Sequence, residues 1–446
     1  MINRLSSRAA RAAVMGLVVA GLGACSTFDS ILEVQNPEEL NEEILDGNAA
    51  LVDVLVNSVT GDFDEAFDDP FIWRGSMFTD ETLTGINWEQ TARLSQRIVE
   101  FDEGDADLMF TEISGARQQA DSVSGRLKVA GITDARLTKT LVYAGYSYIL
   151  MADAMCEATV NAGADIYQPL QLYQFAVDRF NEAISNGGDA GLANLARVGL
   201  SRAQLNLGNY AEAIAAANQV PADFKWWASY DGSDPAVYNV LESRVTGVNH
   251  SLGVHPHFVA GGAENFGKMD LEPFLTDPRV QHLPDWRLGH NQLTQLYTPK
   301  ASLMMSNYNG ETFAAGGSPN DIERGSDIAF ASGLEARHNM FEAMAEQGGN
   351  DAAVLAFVNE RRAFGNQDPV TLTGEALKME LRDQRGRDLF LAGYRLGDLR
   401  RWLRGGDDMF PSGQHPNAQW GNYGNATCFP LPREEYEGNP NISVPT

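Results

Sequence analysis

Along residues 134–158 the apolar side chains Leu137, Leu141, Ala144, Tyr148 and Met151 fall three or four positions apart, so a helix would gather them on one face. The same period runs through 106–130 and 172–185, and it returns at 333–347, 350–364, 373–392 and 394–404. Residues 36–58 open on Asn36-Pro37 and acidic residues, as a helix start does, and then place Leu51, Val54 and Leu55 at helical spacing. Residues 192–221 read as helix, tight turn, helix. There Leu-Gly-Asn-Tyr-x-x-Ala at 207–213 supplies a small turn, an aromatic and a small packing residue, and Ala203 and Ala213 let two helices approach closely.

The period fails in two places. Residues 59–88 are mixed and aromatic-rich, with Phe63, Phe67, Phe71, Trp73, Phe78 and Trp88. Residues 247–320 hold fifteen Gly or Pro, which breaks up long helices and predicts loops and short elements. That stretch also carries Phe258, Phe266, Trp286, Tyr297, Tyr308 and Phe313. Aromatics in irregular segments either build binding surfaces or pack loops onto helices.

The 192–221 segment resembles a tetratricopeptide unit. One such unit cannot bury its own apolar faces, so neighbouring helices must stack on it, although no strict repeat period is visible. The expected fold is mainly α: tetratricopeptide-like helical repeats with a loop-rich, aromatic-bearing excursion. One domain, 25–446, is expected to follow a leader. Its parts are an acidic N-terminal stretch (25–130), tetratricopeptide-like helices (131–221), the excursion (222–332) and C-terminal helices with a tail (333–446).

Charge narrows the partners. The formal net charge of −27 is concentrated early, where residues 29–110 carry 21 Asp or Glu against three Arg. Such a chain repels nucleic acid and anionic lipid. Residues 1–24 have a basic start (Arg4, Arg8, Arg11) and a short apolar run, which fits a secretory signal. The run ends Leu22-Gly23-Ala24-Cys25 and resembles the bacterial lipoprotein signal, which implies cleavage before Cys25 and its acylation. No other stretch reads as a membrane span, so the mature protein is expected to be anchored to a membrane without crossing it. Outside the cytoplasm the two remaining cysteines are expected to pair as a Cys156–Cys428 disulfide. Metal ligation by them would need a CxxC or a His at ligand spacing, and neither is present.

Residues 382–404, RDQRGRDLFLAGYRLGDLRRWLR, hold seven arginines in this acidic chain. Asp383 precedes Arg387 by four and Asp398 precedes Arg401 by three, which puts opposite charges on one helix face. Leu396, Leu399 and Trp402 share another face, expected to be buried. The arginines are therefore expected to knit helices together rather than to bind an anion.

The same stretch resembles the C-terminal signature of the SusD/RagB family of outer-membrane nutrient-binding lipoproteins. The matching residues are Arg387, Gly393, Tyr394, Arg395, Asp398, Leu399, Arg400, Arg401 and Trp402. Other similar features follow in order: the Cys25 signal, Asp277-Pro278-Arg279, the helix ending AFVNERRAFG (Asn359, Arg361, Arg362), and the closing FPLPREEYEGNPNI. The Gln-Asn-Pro-Gly ending common in the family is missing. The resemblance implies a helical tetratricopeptide-containing fold, a cell-surface location, and a SusC-like TonB-dependent transporter as partner. In that family the lipoprotein is a lid that captures oligomeric nutrient, usually glycan and sometimes peptide.

Catalytic motifs are missing: there is no HExxH, GxSxG, Walker-type loop or well-placed GxGxxG. His255-Pro256-His257 could share a metal, but no third ligand can be named. The cluster Asp62, Asp64, Glu65, Asp68, Asp69 offers hard oxygen ligands suited to calcium without the spacing of an EF-hand, as does FDEGDADL at 101–108; the other reading of both is a solvated acidic loop. Sugar recognition needs flat aromatic faces and fork-like polar groups. Trp73 with Arg74, Asn87 with Trp88, Trp286 with Arg287, Tyr297 and Tyr308 supply these by chemistry and location, and they are the candidate ligand-binding residues. The expected function is a non-catalytic surface lipoprotein for glycan or peptide. A tetratricopeptide module for envelope assembly and an envelope glycoside hydrolase are the other two readings.

Overall fold

The structure, a computed structural model, describes residues 49–86, 88–233, 237–245, 252–259, 262, 277–280, 282, 287–288, 295–296, 325, 327–417 and 420–444. The leader 1–24, Cys25 and the start of the expected 36–58 helix lie outside these residues. Met1–Val52 and Asp53–Thr446 are separate units, and of the first only 49–52 are described.

Helix α1 (Ala49–Ala66) leads into a π-helical segment (Phe67–Ile72) and α2 (Trp73–Phe78). Strand β1 (Thr82–Thr84) and the short α3 (Glu89–Ser95) follow. Two long helices come next, α4 (Gly104–Val129) and α5 (Ala135–Ala154), close to the segments expected from periodicity. The small pair β2 (Ala158–Thr159) and β3 (Ile166–Tyr167) precedes α6 (Pro169–Asn186), α7 (Ala190–Leu207) and α8 (Tyr210–Ala217).

Local chemistry explains these starts and stops. Asp134 accepts the Arg136 N–H at 3.0 Å and caps α5; Asp189 accepts the N–H groups of Gly191 and Leu192 and caps α7. Pro169 opens α6, where Gln168 and Gln171 form a reciprocal cap. Helix α7 ends at Gly208, whose φ of +78° suits a residue without a Cβ. Tyr210 then opens α8 and packs with Ile214 on the buried Leu205, Ala213 and Ala343. The tight turn at 207–213 is thus a helical hairpin, as its sequence implied. Phe180 of α6 is fully buried between α5 and α7. It fits because Gly145 and Gly199 face it, and a Cβ at either would collide with its ring.

Segment 59–88 departs from the irregular structure expected of it. Phe63, Phe67 and Phe71 sit on α1 and the π segment, and Trp73 and Phe78 on α2; all five are buried. Phe63 and Phe67 pack with Tyr143, Tyr146 and Phe330 in one aromatic cluster. These aromatics are core.

The excursion carries β4 (Lys225–Ala228), α9 (Val240–Val245), β5 (Leu252–Val254), β6 (Arg287–Leu288), β7 (Gln295–Leu296) and β8 (Ile328–Ser332). β1 pairs antiparallel with β5, β4 with β8, and β6 with β7. The C-terminal helices are α10 (Gly333–Gln347), α11 (Asp351–Phe364), α12 (Gly374–Asp388), α13 (Arg395–Arg404) and the short α14 (Arg433–Gly438). Among the described residues no helix is long and apolar enough to cross a membrane.

All seven arginines of 382–404 are bonded within the protein. Arg395 makes two 2.6 Å bonds to Asp80; Arg385 reaches Asp398 at 2.6 Å; Arg401 grips both oxygens of Glu342 and one of Asp398. Arg387 pairs with Asp383, Arg382 with Asp407, and Arg404 with Asn206. Arg400 donates to the carbonyls of Ala152 and Asp153. Leu396, Leu399 and Trp402 are buried, and the Trp402 indole N–H donates to Glu342. The Asp277-Pro278-Arg279 turn joins the mesh: Arg279 binds Asp277, Gln384 and Asp388, and Asp388 also takes Arg361 and His338.

Cys156 and Cys428 form a disulfide across 272 positions. Beside it Cys156 N–H donates to Phe429 O and Phe429 N–H to Ala154 O, so the proline-rich tail is fastened to the end of α5. Replacing both cysteines with serine is expected to cost about 2–5 kcal/mol in urea unfolding, because a long loop is then free in the denatured chain. An unchanged midpoint would contradict this.

The buried ion pairs set an acid limit. Burial alone would raise Asp80 and Asp398, but Arg395 brings the first to about 2, and Arg385 and Arg401 bring the second to about 2. Burial likewise opposes ionisation of Asp388, yet Arg279 and His338 hold it well below the usual range. These folded values lie below the unfolded one, so the stabilisation is complete above pH ~4 and is lost as pH falls toward ~2. Thermal melts should show a steep loss across that window; a flat Tm from pH 4 to 2 would contradict the assignment.

Candidate functional site

Trp88 stands where the chain leaves the β1 layer and enters α3. It is 54% exposed, and among the described residues no other Phe or Trp is classed as exposed. A large ring held open to water, while Trp73 and Trp402 are buried, is the feature the core does not explain.

The ring's position is fixed from the C-terminal signature outward. Gly393 (φ +79°) makes the turn before α13 and lies against Phe67, Phe71 and Ile72, so a Cβ there would crowd all three. The turn puts Arg395 against Asp80. Its neighbour Leu391 donates its N–H to the buried Glu81 at 2.8 Å. Asp80 and Glu81 lead directly into β1, and the Glu81 carbonyl accepts the His255 N–H at the end of β5. Leu83 and Ile86, buried at 1% exposure each, pin the stretch between β1 and Trp88.

The strand layer brings two distant candidate segments together. β5 pairs with β1 in the register Leu83 opposite Gly253. Any Cβ at Gly253 would lie 2.8 Å from Leu296, so the β6–β7 hairpin closes directly on β5. That hairpin carries Arg287 in its backbone and is flanked in sequence by Trp286 and Tyr297. Asn87, Trp286, Tyr297 and Tyr308 themselves lie outside the described residues, as does the Arg287 side chain.

Trp73 and Arg74 are corrected by the structure. Trp73 is 1% exposed, with the Arg74 and Arg244 guanidinium groups over its ring at 4.4 and 3.7 Å. Arg74 is buried and pairs with Asp69 and, at 2.8 Å, with Asp105. Neither side chain offers a face to a ligand, because the π segment and α2 turn both inward.

The histidine pair is engaged within the protein. His255 Nδ1 accepts the His257 N–H at 3.2 Å, and its Nε2 meets Tyr423 Oη at 3.2 Å; His257 Nε2 lies 3.3 Å from Asp383. Burial pushes His255 down to about 3, so it is neutral near pH 7. In the 101–108 segment Asp105 is taken by Arg74 at the start of α4. Among the described residues no three His, Cys, Asp or Glu side chains are grouped to hold a metal ion.

The acidic cluster 62–69 lies at the end of α1 and in the π segment, not in a loop, and it lines two cavities of about 280 and 270 Å³. The sequence offered two readings, calcium ligands or a solvated acidic loop; the cluster is helical instead, with Asp62 and Glu65 exposed and Asp64 and Asp68 buried. The five carboxyls between 62 and 69 were the available signal; that two of them turn inward was not readable from spacing.

No protein-family model and no curated protein matches the sequence. Solved structures do match. A SusD superfamily protein from Bacteroides vulgatus superposes with a TM-score of 0.65 at 14% identity, covering 88% of this chain and 98% of the other. A SusD superfamily protein from Bacteroides fragilis gives 0.64 at 11% identity over 89% and 99%. A SusD-like carbohydrate binding protein from Bacteroides vulgatus gives 0.57 at 12% identity over 79% and 83%. The chain has the SusD fold, helical and built on tetratricopeptide-like pairs.

Because the hairpin closes on a glycine, Gly253→Ala is expected to destabilise the strand layer by about 1–3 kcal/mol through overpacking. Amide hydrogen exchange at 252–254 and 295–296 should accelerate while the α5–α7 helices stay protected. Unaltered exchange at these positions would contradict the close approach.

Proposed function

We propose that this chain is a member of the SusD/RagB family, a lipid-anchored protein of the outer cell surface that captures oligosaccharide and passes it to a SusC-like TonB-dependent transporter. The exposed Trp88 ring, on a fold shared with SusD superfamily proteins over most of their length, carries the reading. A flat indole covers the apolar side of a pyranose, and neighbouring polar groups answer its hydroxyls. That one protein of this fold is described as carbohydrate binding supports glycan as the ligand class, with peptide the second.

Asn87, Trp286, Arg287, Tyr297 and Tyr308, chosen on their chemistry and place in the sequence, would complete the surface. The 1–24 leader and Cys25 support anchoring by acyl chains, each buried methylene contributing about 0.8 kcal/mol. The reading assigns no catalytic residue: the protein binds without turnover.

The test is a glycan screen on the mature protein, followed by titration of the best oligosaccharide. Trp88→Ala should weaken binding by about 10- to 100-fold, the effect of losing a central aromatic anchor, with the melting temperature unchanged. Equal affinity in the variant would overturn the site. Stable capture of a protein partner with no oligosaccharide bound would favour the assembly module, and carboxylate-dependent turnover would favour the glycoside hydrolase.

A further inference from the structure

The connection from α13 to α14, residues 405–432, contains no helix or strand among its described residues. Connections of that length without regular structure are uncommon in a compact domain, and those that occur usually serve a function. Its composition is also unusual. Residues 409–432 hold no Asp, Glu, Lys or Arg, the longest uncharged run in a chain that is 21% charged. In their place stand five amide side chains, Gln414, Asn417, Gln419, Asn422 and Asn425, with the aromatic Trp420 and Tyr423 among them.

The loop is fastened at both ends. Phe410 and Phe429 pack on one ring, 6.5 and 5.0 Å from Phe78. Arg97, just past α3, clasps the loop between them. It is buried at φ +59°, a backbone conformation rare for a residue with a side chain. It donates to the Pro411 and Ala426 carbonyls at 2.5 and 3.0 Å, with its guanidinium over the Phe410 ring. Gly424 donates its N–H to Gln96 O at 2.7 Å, and a Cβ there would lie 2.5 Å from Arg97 O, so the loop seats directly on the end of α3. Strained backbone held in place by its surroundings is concentrated at ligand sites.

Inside the loop, Gln414 and Asn422 face each other across a single antiparallel bridge. His415 is buried, and the Trp420 and Tyr423 rings each lie 4.8 Å from its ring, hence within about 10 Å of each other. Asn417 N–H donates to His415 Nδ1 at 3.0 Å, and the Tyr423 hydroxyl lies 3.2 Å from His255 Nε2 at the end of β5. Burial pushes His415 down to about 4, against the Asn417 and Ser95 backbone groups, so the imidazole is neutral near pH 7. Trp420, packed on that imidazole, stays partly exposed, and Gln414, Asn422 and Asn425 are exposed.

We propose that Trp420, with the exposed amides of its loop, is a second subsite for the captured oligosaccharide, one that takes neutral sugar units. This rests on the oligosaccharide-binding reading. A partly open indole supplies the flat apolar face that a pyranose needs, and an amide both donates and accepts, as hydroxyls require. The lack of charge disfavours the alternatives: an anionic ligand finds no Lys or Arg in the loop, and a basic peptide no Asp or Glu. His415 and Tyr423 are positioning residues that fix the indole. Trp88 precedes the first residue of α3 and the loop is bonded to its last turn, so the two stand at opposite ends of a seven-residue helix about 10 Å long. A disaccharide covers one end, whereas a longer oligomer reaches both. Joining two modest contacts in one chain raises affinity without strengthening either.

The experiment takes the mature protein with maltohexaose, cellohexaose and xylohexaose and the matching disaccharides, by calorimetric titration and by hydroxyl-radical footprinting read by mass spectrometry. The best-bound hexasaccharide should bind at least 10-fold tighter than its disaccharide, with an affinity insensitive to salt. Trp420→Ala should lower hexasaccharide affinity about 10-fold and leave the disaccharide unchanged, while Trp88→Ala lowers both. Trp420→Phe, which keeps a flat ring, should recover most of the loss. Footprinting of the unaltered protein, which does not depend on how a variant folds, should show Trp420 protected by the hexasaccharide and not by the disaccharide. Full hexasaccharide affinity in Trp420→Ala, an equal loss for both lengths, or Trp420 oxidation unaffected by the hexasaccharide would overturn the subsite and leave the Trp88 reading standing. An affinity that falls steeply with salt would overturn the assignment to neutral sugar. If no hexasaccharide binds, the oligosaccharide reading itself fails and the subsite with it.

Discussion

The double hydrogen bond from Arg395 to Asp80 is the contact on which the arrangement turns. It spans 315 positions and joins the C-terminal signature to the strand that leads to Trp88. Both groups are nearly inaccessible to water, so removing one partner would strand the other charge at a cost of about 3–5 kcal/mol. Around it the other arginines of α12 and α13 bind carboxylates or carbonyls from α5, α7, α10 and the loops. An acidic chain concentrates cations here because helices bearing buried carboxylates can be brought together only where those charges are answered. Ion pairs of this kind specify which surfaces meet more than they add net stability, since desolvation offsets much of the attraction.

Much of the helical fold was legible in the sequence, and for a physical reason. Helices α5, α6, α7 and α10 to α13 carry apolar residues at regular spacing and have recognisable starts, such as Asp134, Asp189 and Pro169. Period and capping are local, so a linear reading finds them. The pairings Asp383–Arg387 and Asp398–Arg401 were legible too, because helical spacing dictates them. The partners of Arg385, Arg395 and Arg279 were not. They come from distant segments, and only the folded chain brings Asp398, Asp80 and Asp388 to them.

The site was legible in part. Trp88 was singled out as an aromatic beside a polar residue in an irregular stretch, and it is open to solvent. Trp73 had the same sequence description and is core. What separates them is the π segment at 67–72, which turns α2 inward, and no residue pattern announces that turn. The acidic cluster at 62–69 suggested a solvated loop because charge normally faces water. The helix instead continues through it and buries Asp64 and Asp68 beside Tyr230.

The central claim is that this protein works as the capturing half of an uptake complex at the cell surface. The measurement that tests it most directly is affinity purification of the lipidated protein from its native envelope in gentle detergent, with mass spectrometry of what accompanies it. The account predicts a large TonB-dependent β-barrel protein in stoichiometric amount. Recovery of the protein without any such barrel would contradict it.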